Sequence, residues 1–229
     1  MNKPCLGVSR EETGKYILGT APVERDGSAF FRVPSGVPVF FQALNAEGKA
    51  VQTMRSLTFV QPGRTLSCIG CHESRDATPP SDPPLASRRP PSRLTPGPEG
   101  SWPLRFDTMV RPILDKACLE CHGKGDPFEL TPRHAFDRLL AYANNDLRKL
   151  VFEKDYSTAG TGPALDSKLL AFLESDPEHE SVTLSPEERS RLYAWMDTYA
   201  QRQGSFSEEQ EKDLAALRQK LAPELFEKP

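Results

Sequence analysis

Two short stretches hold the residues best suited to chemistry. In "SCIGCHE", Cys68, Cys71 and His72 form a C-x-x-C-H, and in "ACLECHG", Cys118, Cys121 and His122 form a second. Such a motif suits covalent haem attachment, thiol redox exchange or half of a zinc site. For haem, two thiols add across the vinyl groups and the adjacent histidine binds iron, and the short spacing lets all three reach one porphyrin. Zinc ribbons place their two C-x-x-C halves about 15–20 residues apart. Here the halves are much further apart, with a proline-rich stretch between them. A thioredoxin-like pair opens a helix after a strand, which neither copy does. Both motifs therefore read as haem c sites, with Cys68, Cys71, Cys118 and Cys121 as attachment points and His72 and His122 as iron ligands.

The sixth ligand separates electron carriage from small-molecule binding, because an open iron position admits exogenous ligands. The chain has four histidines, so His134 and His179 remain. His134 falls inside a predicted helix and reads as an ordinary helix residue. His179, in "SDPEHESVTLS", lies on a predicted loop among acids, and from the residues alone it is a surface histidine or a ligand. Met54, Met109 and Met196 read as core. No histidine is evident for the first haem, whose distal side is expected to be open or completed by residues outside this chain. Of five cysteines, only Cys5 lies outside the motifs.

The elements that must position these groups change character along the chain. Residues 15–62 read as strands, rich in Val, Ile, Phe and Thr, with turn pairs at Asp26-Gly27 and Glu47-Gly48 where glycine accepts positive φ. Val51, Met54, Leu57, Phe59 and Val60 supply apolar positions to this small antiparallel unit. "TPPSDPPLASRRPPSRLTPGPEG" then reads as an extended strap, since proline removes donors and fixes φ. Beyond Trp102 the period becomes helical: Phe106, Met109, Val110, Ile113, Leu114 and Ala117 form one apolar face leading into Cys118. Thr131-Pro132 predicts the start of "PRHAFDRLLAYANN", and "SKLLAFLES" predicts a short helix. Ser185-Pro186-Glu187-Glu188 is a capping box for a helix expected to close at Gly204. Ser207 and Gln210 cap a terminal helix with Leu214, Leu217 and Leu221 on one side. The expected fold is α+β: a β segment (1–77), a strap (78–101), an all-α cytochrome c-like region (102–206) and a terminal helix (207–229).

Composition narrows the partners. At 229 residues, 27% charged and net charge −3, the chain has no basic block suited to nucleic acid and no run apolar enough to span a bilayer. The first residues lack the apolar region of a secretory signal, yet haem c is attached after export. The expectation is thus a piece of a longer periplasmic or otherwise exported protein, or a start site placed too far downstream.

The stretch "DGSAFFRVPSGVPVFFQALNAEGKAVQTMRSLTFVQPGRTLSCIGCHESR" resembles the region around the first haem of hydrazine synthase alpha-subunit-like proteins. "SWPLRFDTMVRPILDKACLECHG" and "SKLLAFLESDPEHESVTLSPEERSRLYAWMDTYA" resemble their C-terminal cytochrome c domain. The resemblance implies a larger exported parent with a β-propeller-like body ahead of this part. It also implies that His179, just before "V-x-L-S", is the distal ligand opposite His122. In hydrazine synthase a tyrosine four residues after the first motif's histidine binds the iron, while that histidine turns to zinc. Here the matching position is Asp76, which implies that His72 ligates iron in the ordinary way.

Three functions remain open on these grounds. The preferred one is a dihaem electron-transfer segment serving a redox partner or other domains of a longer chain. The alternative is a haem-dependent oxidoreductase whose first haem is the catalytic centre. The third is a fragment retaining its parent's motifs. Protein matured with the export machinery is expected to keep its haem on a haem-stained denaturing gel; an unstained band would overturn the covalent reading.

Overall fold

The computed structural model describes residues 14–70, 76, 82–152 and 157–227. Cys5, Cys71 and His72 lie outside them. Among the described residues the architecture is α+β, with one two-stranded antiparallel sheet and α-helices of 4 to 18 residues. The chain divides into two compact units that interleave in sequence. The first holds residues 1–17, 41–55 and 98–215, and the second holds 18–40, 56–97 and 216–229. Composition had suggested consecutive segments instead.

Most of the expected β segment forms no ladder. Among the described residues, strands are confined to β1 (Gln42–Leu44) and β2 (Ala50–Thr53), joined through a turn in which Gly48 adopts φ +87° and donates to the Asn45 carbonyl at 3.0 Å. Elsewhere pairing is limited to isolated bridges. Pro22, Pro34 and Pro38 interrupt the apolar runs and remove donors that a continuous strand would need. Of the apolar positions expected around residues 51–60, Leu57 and Phe59 are exposed.

In the first unit the β hairpin belongs to the helical body. Its helices are α1 (Phe106–Met109), α2 (Arg111–Ala117), α3 (Ala135–Phe152), α4 (Pro163–Asp166), α5 (Lys168–Ser175) and α6 (Pro186–Asp197). The predicted face of α1 and α2 is buried at Phe106, Met109, Val110, Ile113 and Leu114. It packs with Leu139, Leu140, Leu169, Leu170, Trp195 and Met196 into one core. Phe106 meets Phe136 edge-on at 5.3 Å and Trp195 at 5.4 Å, and each such aromatic contact contributes about 0.5–1.5 kcal/mol beyond burial. Ser167 caps α5, and the capping box of α6 forms as expected.

Helix α6 ends at Asp197, not at Gly204. Tyr199 and Ala200 turn left-handed, at φ +62° and +44°, and the buried Trp195 indole donates to the Gln201 carbonyl at 2.8 Å. Gly204 then lies against the Leu104 backbone, where an added Cβ would meet the Leu104 carbonyl oxygen at 2.5 Å. Tertiary packing of this segment outweighs one more helical turn.

Asp197 ties three segments together. Its carboxylate oxygens accept from the backbone N–H groups of Ala50 and Ala164, both at 2.8 Å, while the Gln42 side-chain amide donates to the Asp197 carbonyl at 2.8 Å.

In the second unit the proline-rich strap organises its neighbours. Thr95 bridges Thr20, Ser92 bridges Phe31 and Leu94 bridges Phe226. Gly19 has φ +144°, and a Cβ there would meet the Thr95 carbonyl oxygen at 2.4 Å. The Asp26 carboxylate accepts from Ser28 and from the Leu85 N–H, which lowers its pKa to about 2. The terminal helix α7 (Glu208–Leu225) contributes residues to both units. Ser207 accepts from the Gln210 N–H, as predicted, while the Gln210 side chain reaches the Phe206 N–H.

Burial pushes the Asp197 pKa up to about 6, against the opposing pull of its two backbone donors. A raised folded-state value favours the protonated form, so this group's stabilisation is full below pH 4 and declines as pH rises towards 6. Asp197→Asn places an amino group against one backbone N–H and should cost about 1–3 kcal/mol. That deficit relative to wild type should be larger at pH 4 than at pH 7 in denaturant titrations; a deficit constant with pH would contradict the assignment.

Candidate functional site

The second motif sits where α2 ends. Cys118 caps the helix, its N–H donating to the Leu114 carbonyl, and the His122 N–H donates to the Cys118 carbonyl at 2.9 Å. This turn holds the motif's first thiol and its histidine on one short backbone arc. The loop beyond is pinned by the Leu130 N–H, which donates to the His122 carbonyl at 2.8 Å. Arg111, buried beside Asp115, donates to the Leu130 carbonyl at 2.6 Å.

His179 comes from a separate segment, the 3-10 turn Pro177–His179 that follows α5. The structure brings its ring to His122: the centroids are 6.0 Å apart and the planes only 7° from parallel. Each ring is held from behind by a carboxylate. His122 Nδ1 lies 3.0 Å from Asp126 Oδ1, and His179 Nδ1 lies 2.6 Å from Asp176 Oδ2. An ionised carboxylate only accepts, so each Nδ1 donates, and in the neutral tautomer each Nε2 keeps its lone pair. Bonding to His122 and to the Phe128 N–H holds the Asp126 carboxyl below the usual range.

An aromatic wall joins the two histidines. Phe128 meets His122 at 5.9 Å and Tyr142 at 5.6 Å; Tyr142 meets Phe172 at 6.0 Å, and Phe172 meets His179 at 5.2 Å. Tyr142 takes its place through a break in α3. It leaves helical geometry at ψ 144°, and Ala143, Asn144 and Asn145 follow at φ +49°, +62° and +61°. The predicted helix "PRHAFDRLLAYANN" therefore stops short of its two asparagines, residues that tolerate the left-handed region better than most. Tyr142 remains a neutral phenol, its pKa raised by burial and by Asp176 and Asp146.

The donor set fits a haem c. Metal–imidazole bonds are ~2 Å long, so two imidazoles on opposite sides of one metal place their centroids roughly 6 Å apart. Metal-binding histidines usually donate their other N–H to a carboxylate or carbonyl, as both do here. Burial pushes the Cys118 thiol pKa up, with Arg111 pulling weakly the other way. Among the described residues, no group of three or more His, Cys, Asp or Glu side chains is arranged to hold a metal ion.

The other sequence-derived candidates have different surroundings. His134 bonds Glu129 at 3.0 Å. Met109 and Met196 are fully buried in the core, and Met54 is half-buried. Cys121 is exposed, as are Cys68 and Asp76 near the first motif. Cys71 and His72 fall outside the described residues. Sequence reasoning missed Asp126, Asp176, Phe128, Tyr142 and Phe172. The available signal was an aspartate four residues after one histidine and three before the other.

Residues 6–73 match the family model for the hydrazine synthase alpha subunit middle domain. No curated protein and no solved structure matches the chain.

A left-handed alanine costs roughly 1–2 kcal/mol, which glycine largely avoids. Ala143→Gly should therefore raise stability by up to ~1 kcal/mol, seen as a thermal midpoint about 2–4 °C higher; a lower midpoint would contradict this backbone at the Tyr142 break.

Proposed function

Proceeding from the chain's place in the hydrazine synthase alpha-subunit-like family over residues 6–73, we propose that it is an electron-transfer segment binding two covalent haems. The observation that supports this best is the parallel His122–His179 pair at 6.0 Å. Cys118 and Cys121 would hold one haem covalently, with His122 and His179 as its iron ligands. Bound there, the haem supplies a one-electron Fe(III)/Fe(II) couple.

The protein's own contribution is orientation and partial exclusion of water. Asp126 and Asp176 fix the imidazole tautomers. Phe128, Tyr142 and Phe172 lower the local polarity on one side. With two protein nitrogens as iron ligands, this centre would suit electron carriage better than substrate chemistry.

Cys68, Cys71 and His72 would hold the other haem. Its counterpart would be a redox partner protein or other domains of a longer parent, in the periplasm or another exported location. Among the described residues no helix is long and apolar enough to cross a membrane.

A second reading, a haem-dependent oxidoreductase with the first haem as catalytic centre, is favoured by one observation. The unit holding the first motif contains no methionine and no histidine besides His72. No second ligand of either usual type is therefore supplied from within that unit, as an open, substrate-binding iron would require.

Visible absorption and EPR spectra of matured protein distinguish these readings. Two low-spin six-coordinate haems are expected for the carrier, whereas a high-spin, ligand-binding first haem would favour the oxidoreductase. His179→Ala should convert one low-spin signal to high spin; an unchanged spectrum would overturn the ligand assignment.

A further inference from the structure

The two histidines of the pair are mounted on the same local device, although they belong to unrelated segments. In each, an aspartate carboxylate accepts a backbone N–H two residues downstream and bonds a histidine Nδ1. Asp126 accepts from the Phe128 N–H at 2.7 Å and meets His122 at 3.0 Å. Asp176 accepts from the Glu178 N–H at 3.1 Å and meets His179 at 2.6 Å. A side chain that bonds the backbone two residues on is an Asx turn, a stiff local loop, so each carboxylate is fixed before it meets the imidazole. The histidine follows its aspartate by three residues in one case and precedes it by four in the other. The shared geometry therefore does not arise from one repeated motif. Both rings are also partly withdrawn from water, with side-chain exposures of 25% and 20%.

We propose that Asp126 and Asp176 are paired positioning residues that make both imidazoles strong electron donors and so hold the centre at a low reduction potential. This rests on the reading of His122 and His179 as axial ligands. A carboxylate accepting the Nδ1 proton raises the basicity of Nε2, and a more basic ligand stabilises the ferric state over the ferrous one. Hydrogen bonding behind an axial ligand is one of the ways a protein sets haem potential. The negative charge of each carboxylate acts in the same direction, opposing the loss of positive charge on reduction. With one aspartate behind each ring the effect is applied from both sides.

The test is spectroelectrochemistry and EPR on matured protein, using Asp126→Asn, Asp176→Asn, and the corresponding alanine variants. The centre is identified as the low-spin signal that His179→Ala removes; if wild type has no such signal, the ligand reading fails before this one is reached. Asparagine keeps an oxygen that can accept both the backbone N–H and Nδ1–H, but it lacks the charge. A purely structural role would therefore leave the potential in place in the asparagine variants. The expected result is that each asparagine variant stays low-spin while its ferric-to-ferrous balance shifts about tenfold towards ferrous, a rise of about 59 mV for one electron. Alanine variants should show the same rise with altered low-spin g-values as the ring loses its orientation. Asparagine variants that stay low-spin with an unchanged potential would overturn the proposal.

Discussion

The His122–His179 spacing is the constraint to which the surrounding structure answers. Two imidazoles from separate segments lie with nearly parallel planes and centroids 6.0 Å apart, a distance neither segment can set alone. His122 is placed by the end of α2 and by the loop that Arg111 pins through the Leu130 carbonyl. His179 is placed by the turn after α5, with Ser167 capping the start of that helix. Between them, α3 breaks at Tyr142 and spends three residues in the left-handed region. The break places Tyr142 between Phe128 and Phe172, and the aromatic wall between the histidines depends on it.

A second constraint holds the first unit together. Asp197 is buried and binds backbone donors at the start of β2 and in α4. A buried carboxylate is costly unless its acceptors are satisfied, and here the satisfied acceptors join the hairpin to the helical body. This explains why the hairpin groups with the helices and not with the residues around the first motif. Its strands are too short to be stable alone and gain their stability from packing.

The two motifs thus stand in different settings. The second packs its Cys118 against the helical core, with its histidine oriented by a carboxylate. The first begins in an exposed stretch, Leu66 just before it and Ile69 within it being open to solvent, in a unit held by isolated bridges and side-chain bonds from Asp26, Arg89 and Arg93. The family match covers this first motif, whereas the paired histidines lie in the region beyond it.

Much of this could be read in the sequence because it depends on local chemistry. The C-x-x-C-H spacing, the capping box at Ser185, the apolar period from Phe106 to Leu114 and the turn at Gly48 each involve residues within a few positions of one another. The α+β class followed from the same signals. His179 beside His122 was an implication of resemblance, since on spacing alone it was equally a surface histidine. The tertiary structure decided the rest: the failure of most strands, the end of α6 at Asp197, the break at Tyr142 and the carboxylates behind each ring. Strands need distant partners with free donors, and prolines 22, 34 and 38 denied them. Helix ends yield to packing when a buried indole or carboxylate has a better bond to make. Sequence by itself determined which groups could bind a haem; only the fold could set two rings, more than fifty residues apart in the chain, parallel and 6.0 Å from each other, because that distance is the sum of many long-range contacts.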